Sequence, residues 1–190
     1  MFFDDYSKGL QETLDKISRE DVQLLYSLID EARNKDKHVF VLGNGGSAAA
    51  ASHWVCDFGK GINIPGAKRL KIFAPVDNGA VFSAYGNDNS YEETFVEQLK
   101  NLLEEGDLII SLSVSGNSGN LLESHRYAKS IGAKTVCIVG DKQGKLIDMS
   151  DKAIVIKSEN YGIVEDIHII IEHAMSQYMK SNNEEAVRQA

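Results

Sequence analysis

The chain has 190 residues, 43% of them hydrophobic, which is enough for one domain with a full core. The net charge is −8 and no basic stretch stands out, which disfavours direct binding to nucleic acid. No apolar run approaches the ~20 residues that a membrane span needs, and the N-terminal residues lack a signal-peptide pattern. Two cysteines, Cys56 and Cys137, give no disulfide framework. We therefore expect a cytoplasmic protein that does not enter a membrane.

Two helices are predicted at the N-terminus, between residues 6 and 34. Apolar residues recur there at helical spacing, and Ser18 followed by Asp21 predicts the cap of the second helix. These helices precede the first predicted strand. Their apolar stripes must therefore pack on a flank of the sheet or on another subunit.

Residues 38–59 predict a strand, a glycine loop and a helix in succession. The apolar residues 39–42 suit a buried parallel strand, and Gly43, Asn44, Gly45 and Gly46 end it. Ser47 is the predicted N-cap of a helix that continues through the alanines at 48–51. Glycines allow close approach of a ligand, and the helix start directs its amides there. A tight turn without a ligand remains the alternative.

A second loop, residues 111–120 with the sequence SLSVSGNSGN, follows the apolar residues 108–110. Its hydroxyls at Ser111, Ser113, Ser115 and Ser118 precede a helix that is predicted to start near Ser118. Hydroxyls and amides at a helix start suit a phosphate monoester, whereas the loop has neither a GxxxxGK[ST] nor a GxGxxG nucleotide pattern. The alternative is that the serines only cap the helix. Two such loops after strands of one sheet favour a ligand site.

The remaining pattern predicts an α/β fold. Strands are expected over residues 70–76, 107–111, 135–139 and 153–157, helices over 91–104, 121–131 and 163–180, a loop at 86–89, and a polar tail at 181–190. Strands that alternate with helices predict a parallel sheet covered on both faces. We therefore expect a three-layer αβα sandwich around a five-stranded parallel sheet, in a single domain spanning residues 1–190.

The motifs GNGGSAAAASH and SLSVSGNSGN resemble the sugar isomerase (SIS) family of phosphosugar-binding domains, and within it the chain is most similar to phosphoheptose isomerases. The resemblance implies a flavodoxin-like SIS fold and a homotetramer in which residues 1–34 form part of the interface. It also implies that a small phosphorylated sugar binds to Asn44, Gly45, Gly46, Ser47, Asn87, Asp88, Ser113, Val114, Ser115, Ser118 and Glu165.

Two predicted helices carry the residues that suit a metal ion or proton transfer. His53 and Asp57 are four residues apart and share one helix face, a spacing that suits two ligands of one ion. The last helix carries Glu165, Asp166, His168, Glu172 and His173. The alternative is that each histidine only pairs with a nearby carboxylate.

The resemblance implies which of these residues form the site. The family's first helix supplies a His and, four residues on, a Glu; its last helix supplies a Gln and, eight residues on, a His. These bind one zinc ion per site, and the Glu and second His act as base and acid. The matching residues here are His53, Asp57, Glu165 and His173. The side chain of Asp57 is one methylene shorter than the family's Glu, and Glu165 adds a negative charge where the family has a neutral Gln.

The spacing of the last two ligands leaves their arrangement open. Eight residues of a straight helix span about 12 Å, so Glu165 and His173 of one copy would struggle to reach one ion. Either Glu165 lies before the regular helix or the ligands come from different subunits.

The reaction that the resemblance implies is an aldose–ketose isomerisation through an enediol, with Asp57 and His173 as catalytic residues. Sedoheptulose 7-phosphate is the first candidate substrate and D-glycero-D-manno-heptose 7-phosphate its product, without a nucleotide or redox cofactor. One alternative is a non-catalytic phosphosugar-binding or regulatory member, such as the type that associates with a replication initiator. Another is the isomerase half of a sugar-phosphate amidotransferase, although the chain has no glutaminase domain.

Overall fold

The computed structural model describes residues 1–189. Two helices, α1 (Phe2–Leu14) and α2 (Arg19–Asn34), open the chain. The hydroxyl of Ser18 accepts a hydrogen bond from the Asp21 amide at 3.1 Å, which confirms the predicted cap. Within residues 1–189, no helix is both long and apolar enough to cross a bilayer.

The centre of the fold is a five-stranded parallel sheet in the order β2-β1-β3-β4-β5, which confirms the predicted fold class. Its strands are β1 (His38–Gly43), β2 (Lys71–Phe73), β3 (Leu108–Ser113), β4 (Lys134–Gly140) and β5 (Lys152–Ile156). Strand β2 is shorter than the predicted 70–76. Pro75 begins a short helical turn, Pro75–Asp77, because its nitrogen has no hydrogen to donate to a strand ladder.

Six further helices complete the fold: α3 (Gly46–Cys56), α4 (Gly79–Asp88), α5 (Val96–Lys100), α6 (Gly119–Ser130), α7 (Leu146–Met149) and α8 (Tyr161–Gln189). Two boundaries correct the sequence-based expectation. Residues 86–88 of the predicted loop 86–89 end α4, and the predicted helix 91–104 consists of a turn, Tyr91–Glu93, followed by α5.

Helix α8 also continues through the segment that was predicted to be a polar tail, as far as residue 189; residue 190 lies outside the described part. A buried asparagine explains the extension. Asn183 accepts a hydrogen bond from Arg33 at 2.7 Å and donates one to the carbonyl of Ile62 at 3.0 Å. These bonds hold the second half of α8 against α2 and the turn after α3.

Two hydrophobic clusters lie on opposite faces of the sheet. Helices α2, α3 and α8 cover one face, and α5, α6 and α7 cover the other. Helix α3 follows β1 and α6 follows β3, so the chain leaves these neighbouring strands toward opposite faces. The carboxyl ends of β1 and β3 therefore form the kind of crevice in which open α/β sheets bind ligands.

Candidate active site

The first glycine loop joins β1 to α3 at this crevice. Gly45 occupies the N-cap position with a φ of 57°, a left-handed conformation that glycine adopts without strain. The prediction that Ser47 is the N-cap was wrong: the helix begins at Gly46, and Ser47 is a buried residue of its first turn. Because Gly45 rather than Ser47 is the N-cap, the helix begins two residues earlier than predicted.

Gly46 leaves room for the side chain of Glu165, which reaches across from α8 to the loop. A Cβ at position 46 would overlap the Glu165 carboxylate. The carboxylate therefore lies at the start of α3, where the positive end of the helix dipole favours a negative charge. Since α8 is regular from Tyr161, Glu165 does not precede the helix.

The serine loop joins β3 to α6 at the same crevice. The hydroxyls of Ser113 and Ser115 accept from the amides of Gly116 and Asn117 at 3.0 and 3.2 Å, which shapes the turn. The helix begins after Ser118, as predicted, but the Ser118 hydroxyl makes no capping hydrogen bond. The amides of the first turn have no partner within the helix. The loop thus presents a hydroxyl and amides that a ligand can engage, while the Val114 side chain is buried in the core.

A pair of asparagines ties the two loops together. Asn44 and Asn120 exchange two hydrogen bonds of 2.9 Å through their side-chain amides. Asn120 is fully buried and also donates to the Thr94 hydroxyl at 3.1 Å, and the Tyr91 hydroxyl donates to Asn44 at 2.8 Å. The sequence analysis assigned no role to Asn120, although it is the last residue of the serine loop.

Asn87 and Asp88, the other predicted substrate-binding residues, lie at the exposed end of α4. The amide of Asn87 donates to the Asp88 carboxylate at 2.7 Å. This pair makes no hydrogen bond to either loop within residues 1–189. Their part in substrate binding stays a prediction.

Side chains from α3, the turn that follows it, and α8 form a cluster of four possible ligands: His53, Asp57, Glu172 and His173. The Nε2 atoms of the two histidines are 2.9 Å apart. Asp57 Oδ2 lies 3.7 and 3.8 Å from them, and Glu172 Oε2 lies 3.7 and 3.6 Å from them. His53 and Asp57 share a face, as their spacing predicts, at the point where α3 gives way to the π-helical turn Asp57–Gly61.

Glu172 differs from the other three in burial. Its side chain is 0% exposed and neither carboxylate oxygen has a hydrogen-bond partner. Burial, and then the charge of Asp57, raises the pKa of Glu172 to about 8, against a smaller opposing effect of the nearby Ser176 hydroxyl. Asp57 is 30% exposed, so water can reach its carboxylate.

Buried polar contacts fix the helices that carry the cluster. The indole of Trp54 on α3 donates to the carbonyl of His168 on α8 at 3.1 Å. The His168 ring lies 3.1 Å from the carbonyl of Ile138 in β4, and burial lowers its pKa to about 4. His168 is therefore a neutral structural residue that joins α8 to the sheet.

The cluster has the composition and spacing of a site for a divalent metal ion. Zinc binds nitrogen and oxygen ligands at roughly 2.0–2.2 Å, which places tetrahedral ligand atoms about 3.3–3.6 Å apart. The histidine-to-carboxylate distances of 3.6–3.8 Å are close to this range. Of the predicted ligands, His53, Asp57 and His173 come together in one chain. Glu165 is not part of this group and lies at Gly46 instead.

Comparison with known proteins places the chain among phosphosugar-binding domains. The sequence profile of the SIS domain matches residues 2–140. The chain belongs to the SIS domain family. The phosphoheptose isomerase of Aliarcobacter butzleri is 32% identical over 168 residues, which cover 88% of this chain and 84% of the relative. The profile ends before α8, whereas this alignment extends over most of the chain.

Two solved structures share the fold of this SIS domain protein. The phosphoheptose isomerase from Francisella tularensis has a TM-score of 0.85 at 22% identity, covering 95% of each chain. The one from Neisseria gonorrhoeae has a TM-score of 0.83 at 24% identity, covering 95% of this chain and all of the other. The N-terminal helices and α8 therefore belong to an architecture that extends over nearly the whole chain.

Proposed function

We propose that this SIS domain protein is an aldose–ketose isomerase of a phosphorylated sugar, with sedoheptulose 7-phosphate as its substrate. The observation that carries the proposal is the meeting of the Asp57 carboxylate and the His173 imidazole, 3.8 Å apart, at a cluster that water can reach. The similarity to a phosphoheptose isomerase over 88% of the chain supports the choice of substrate.

Asp57 is the proposed base. It removes a proton from carbon 1 of the ketose, next to the carbonyl at carbon 2, while the carbonyl oxygen gains a proton. The resulting cis-enediol then loses the proton of its carbon-1 hydroxyl and gains one at carbon 2, which gives the aldose. His173 moves the protons between the two oxygens, because its ring nitrogen can both accept and donate.

Local donors bind the phosphate, because a net charge of −8 cannot attract an anion by itself. The proposed phosphate site comprises the first-turn amides of α6 and the hydroxyls of Ser113, Ser115 and Ser118. The first loop, from Asn44 to Ser47, binds the sugar together with Asn87 and Asp88. Glu165 faces this loop and would accept hydrogen bonds from sugar hydroxyls.

Zinc is the proposed metal, held by His53, His173 and a carboxylate of the same cluster. When bound it would polarise the substrate carbonyl. His173 has one Nε2 lone pair, which can serve either the ion or the substrate oxygens. Loading the site with zinc should therefore change the turnover rate and its dependence on pH.

The proposed assembly is a homotetramer, and the proposed location is the cytoplasm. An apolar groove of about 280 Å³ lies between α1–α2 and α8, lined among others by Leu14, Tyr26, Ile170, Met175 and Tyr178. Ile170 is 37% exposed at this surface. We expect light scattering at micromolar concentration to give a tetramer and Ile170→Glu to lower the mass. A wild-type monomer would contradict the proposal.

The activity is tested with ketose phosphates of five to seven carbons, with and without zinc, by following aldose formation. We expect turnover of sedoheptulose 7-phosphate, and almost none by Asp57→Asn. Wild-type turnover by Asp57→Asn would show that the base is elsewhere, and Glu165→Gln would be tested next. Binding of sugar phosphates without any turnover would favour the alternative, a non-catalytic binding protein.

A further inference from the structure

We propose that Glu172, which lies outside the predicted ligand set, is the carboxylate that holds a divalent cation together with His53 and His173. Asp57 is then left free for the substrate. The inference deepens the proposed function and rests on it only for the role of Asp57, because metal binding can be measured without any sugar phosphate.

The burial of Glu172 is the observation that points to a cation. A carboxylate removed from water without hydrogen bonds costs several kcal/mol unless it is neutralised or paired. Glu172 is 0% exposed, and both of its oxygens lack a hydrogen-bond partner among residues 1–189. In this part of the chain, the only basic nitrogens within 4 Å of it are the Nε2 atoms of His53 and His173.

The geometry of the three side chains fits a zinc-sized ion. Glu172 Oε2 and the two Nε2 atoms form a triangle with sides of 2.9, 3.7 and 3.6 Å. The circle through its corners has a radius of about 2.0 Å, so an ion near its centre would meet all three atoms at zinc-ligand distances. Two neutral imidazoles can share only one hydrogen across 2.9 Å, whereas both lone pairs can face an ion.

Asp57 Oδ2 has nearly the same distances to the histidines, so geometry alone admits either carboxylate. Burial separates them. Asp57 is 30% exposed and can be hydrated without the ion, whereas Glu172 cannot. A set of two histidines and one glutamate is also a common catalytic zinc arrangement, in which one coordination position stays open for water or substrate. Asp57, whose Oδ2 lies 3.7 and 3.8 Å from the two Nε2 atoms, would then be close to a substrate bound there.

Glu165 provides a matched control on the same helix. Its carboxylate lies against Gly46 at the first loop and is not part of the cluster. A change from Glu to Gln removes one carboxyl group at either position. A ligand role predicts that only the change at position 172 affects metal binding.

The experiment is a titration of the chelator-treated full-length protein with Zn²⁺ by calorimetry, repeated with Co²⁺ to record its visible absorption. We expect one ion per chain in the wild type. The affinity should fall about 100-fold or more in Glu172→Gln, about 10-fold in Asp57→Asn, and less than ~3-fold in Glu165→Gln. The Co²⁺ spectrum should change in Glu172→Gln and persist in Glu165→Gln.

Thermal melts of the metal-free proteins separate a ligand role from a structural one. Replacing a buried carboxyl that has no hydrogen-bond partner should leave the melting temperature of Glu172→Gln at or above that of the wild type. Zinc should raise the melting temperature of the wild type strongly and that of Glu172→Gln little. If Glu172→Gln does not fold, Glu172→Met, which keeps the volume without a charge, takes its place. Wild-type affinity in the position-172 variant, or an equal loss in Glu165→Gln, would overturn the proposal. A wild type that binds zinc but isomerises nothing would refute the proposed activity alone.

Discussion

The buried histidine His125 allows a quantitative test of how burial changes the pKa of a side chain and, through it, the stability of the protein. Its Nε2 lies 2.9 Å from the hydroxyl of Ser111 in β3, and its Nδ1 lies 3.1 Å from the hydroxyl of Ser150 after α7. Burial lowers its pKa to about 4. The folded protein therefore keeps this imidazole neutral at a pH where the unfolded chain protonates it.

The sign and size of the effect follow from linkage. The unfolded pKa is about 6.5, so the stabilisation is complete above that pH and is lost as the pH falls toward the folded value. Each pH unit within this window costs about 1.4 kcal/mol. Between pH 7 and pH 5, His125 should therefore remove about 2 kcal/mol from the free energy of unfolding.

Urea unfolding of the wild type and His125→Gln at pH 7 and pH 5 measures this contribution. Glutamine cannot be protonated and can still reach Ser111. The wild type should lose about 2 kcal/mol more than the variant between the two pH values. The raised pKa of Glu172 acts with the opposite sign, but it is present in both proteins and cancels. An equal loss in both proteins would show that His125 is protonated in the folded state.

Three further substitutions test the loops and the base. Ser118→Ala should weaken binding of inorganic phosphate about 10-fold by calorimetry, since a hydrogen bond to a charged group is lost, whereas Ser130→Ala at the far end of α6 should not. Gly43→Ala should cost about 1–3 kcal/mol in urea unfolding because the added carbon overlaps the backbone carbonyl of Ser47. Gly46→Ala should cost less, because only the end of the flexible Glu165 side chain has to move; an equal cost in both variants would show that Glu165 cannot move. Asp57→Glu should keep some activity if the site has adapted to Asp, and should raise the rate, by up to ~10²-fold, if it has not; complete inactivity would contradict both.

The elements of the fold could be predicted because their signals are local. Apolar runs of strand length, the glycine loop and the serine loop indicate the order of strands and helices. The errors have non-local causes. Residues 181–189 are polar, and their helix depends on the contacts of Asn183 with Arg33 and Ile62, which lie far away in sequence.

Part of the candidate site could be predicted because its signals, too, are local in the sequence. His53 and Asp57 lie one turn apart, and the serine loop has a recognisable pattern. Sequence spacing could not show whether Glu165 or Glu172 joins the cluster of possible metal ligands, because this depends on how α8 packs against α3. One sequence signal could have indicated Glu172. It lies three and seven residues before Met175 and Met179, on the helix face that these apolar residues share, and a carboxylate on such a face needs a partner.

The most direct test of the account is to incubate the wild-type protein with sedoheptulose 7-phosphate in D₂O and follow it by NMR. Proton transfer through an enediol predicts that an aldose heptose 7-phosphate accumulates with deuterium at carbon 2, and that Asp57→Asn forms none. Binding of the ketose by the wild type without conversion, or conversion at an unchanged rate by Asp57→Asn, would contradict the central claim.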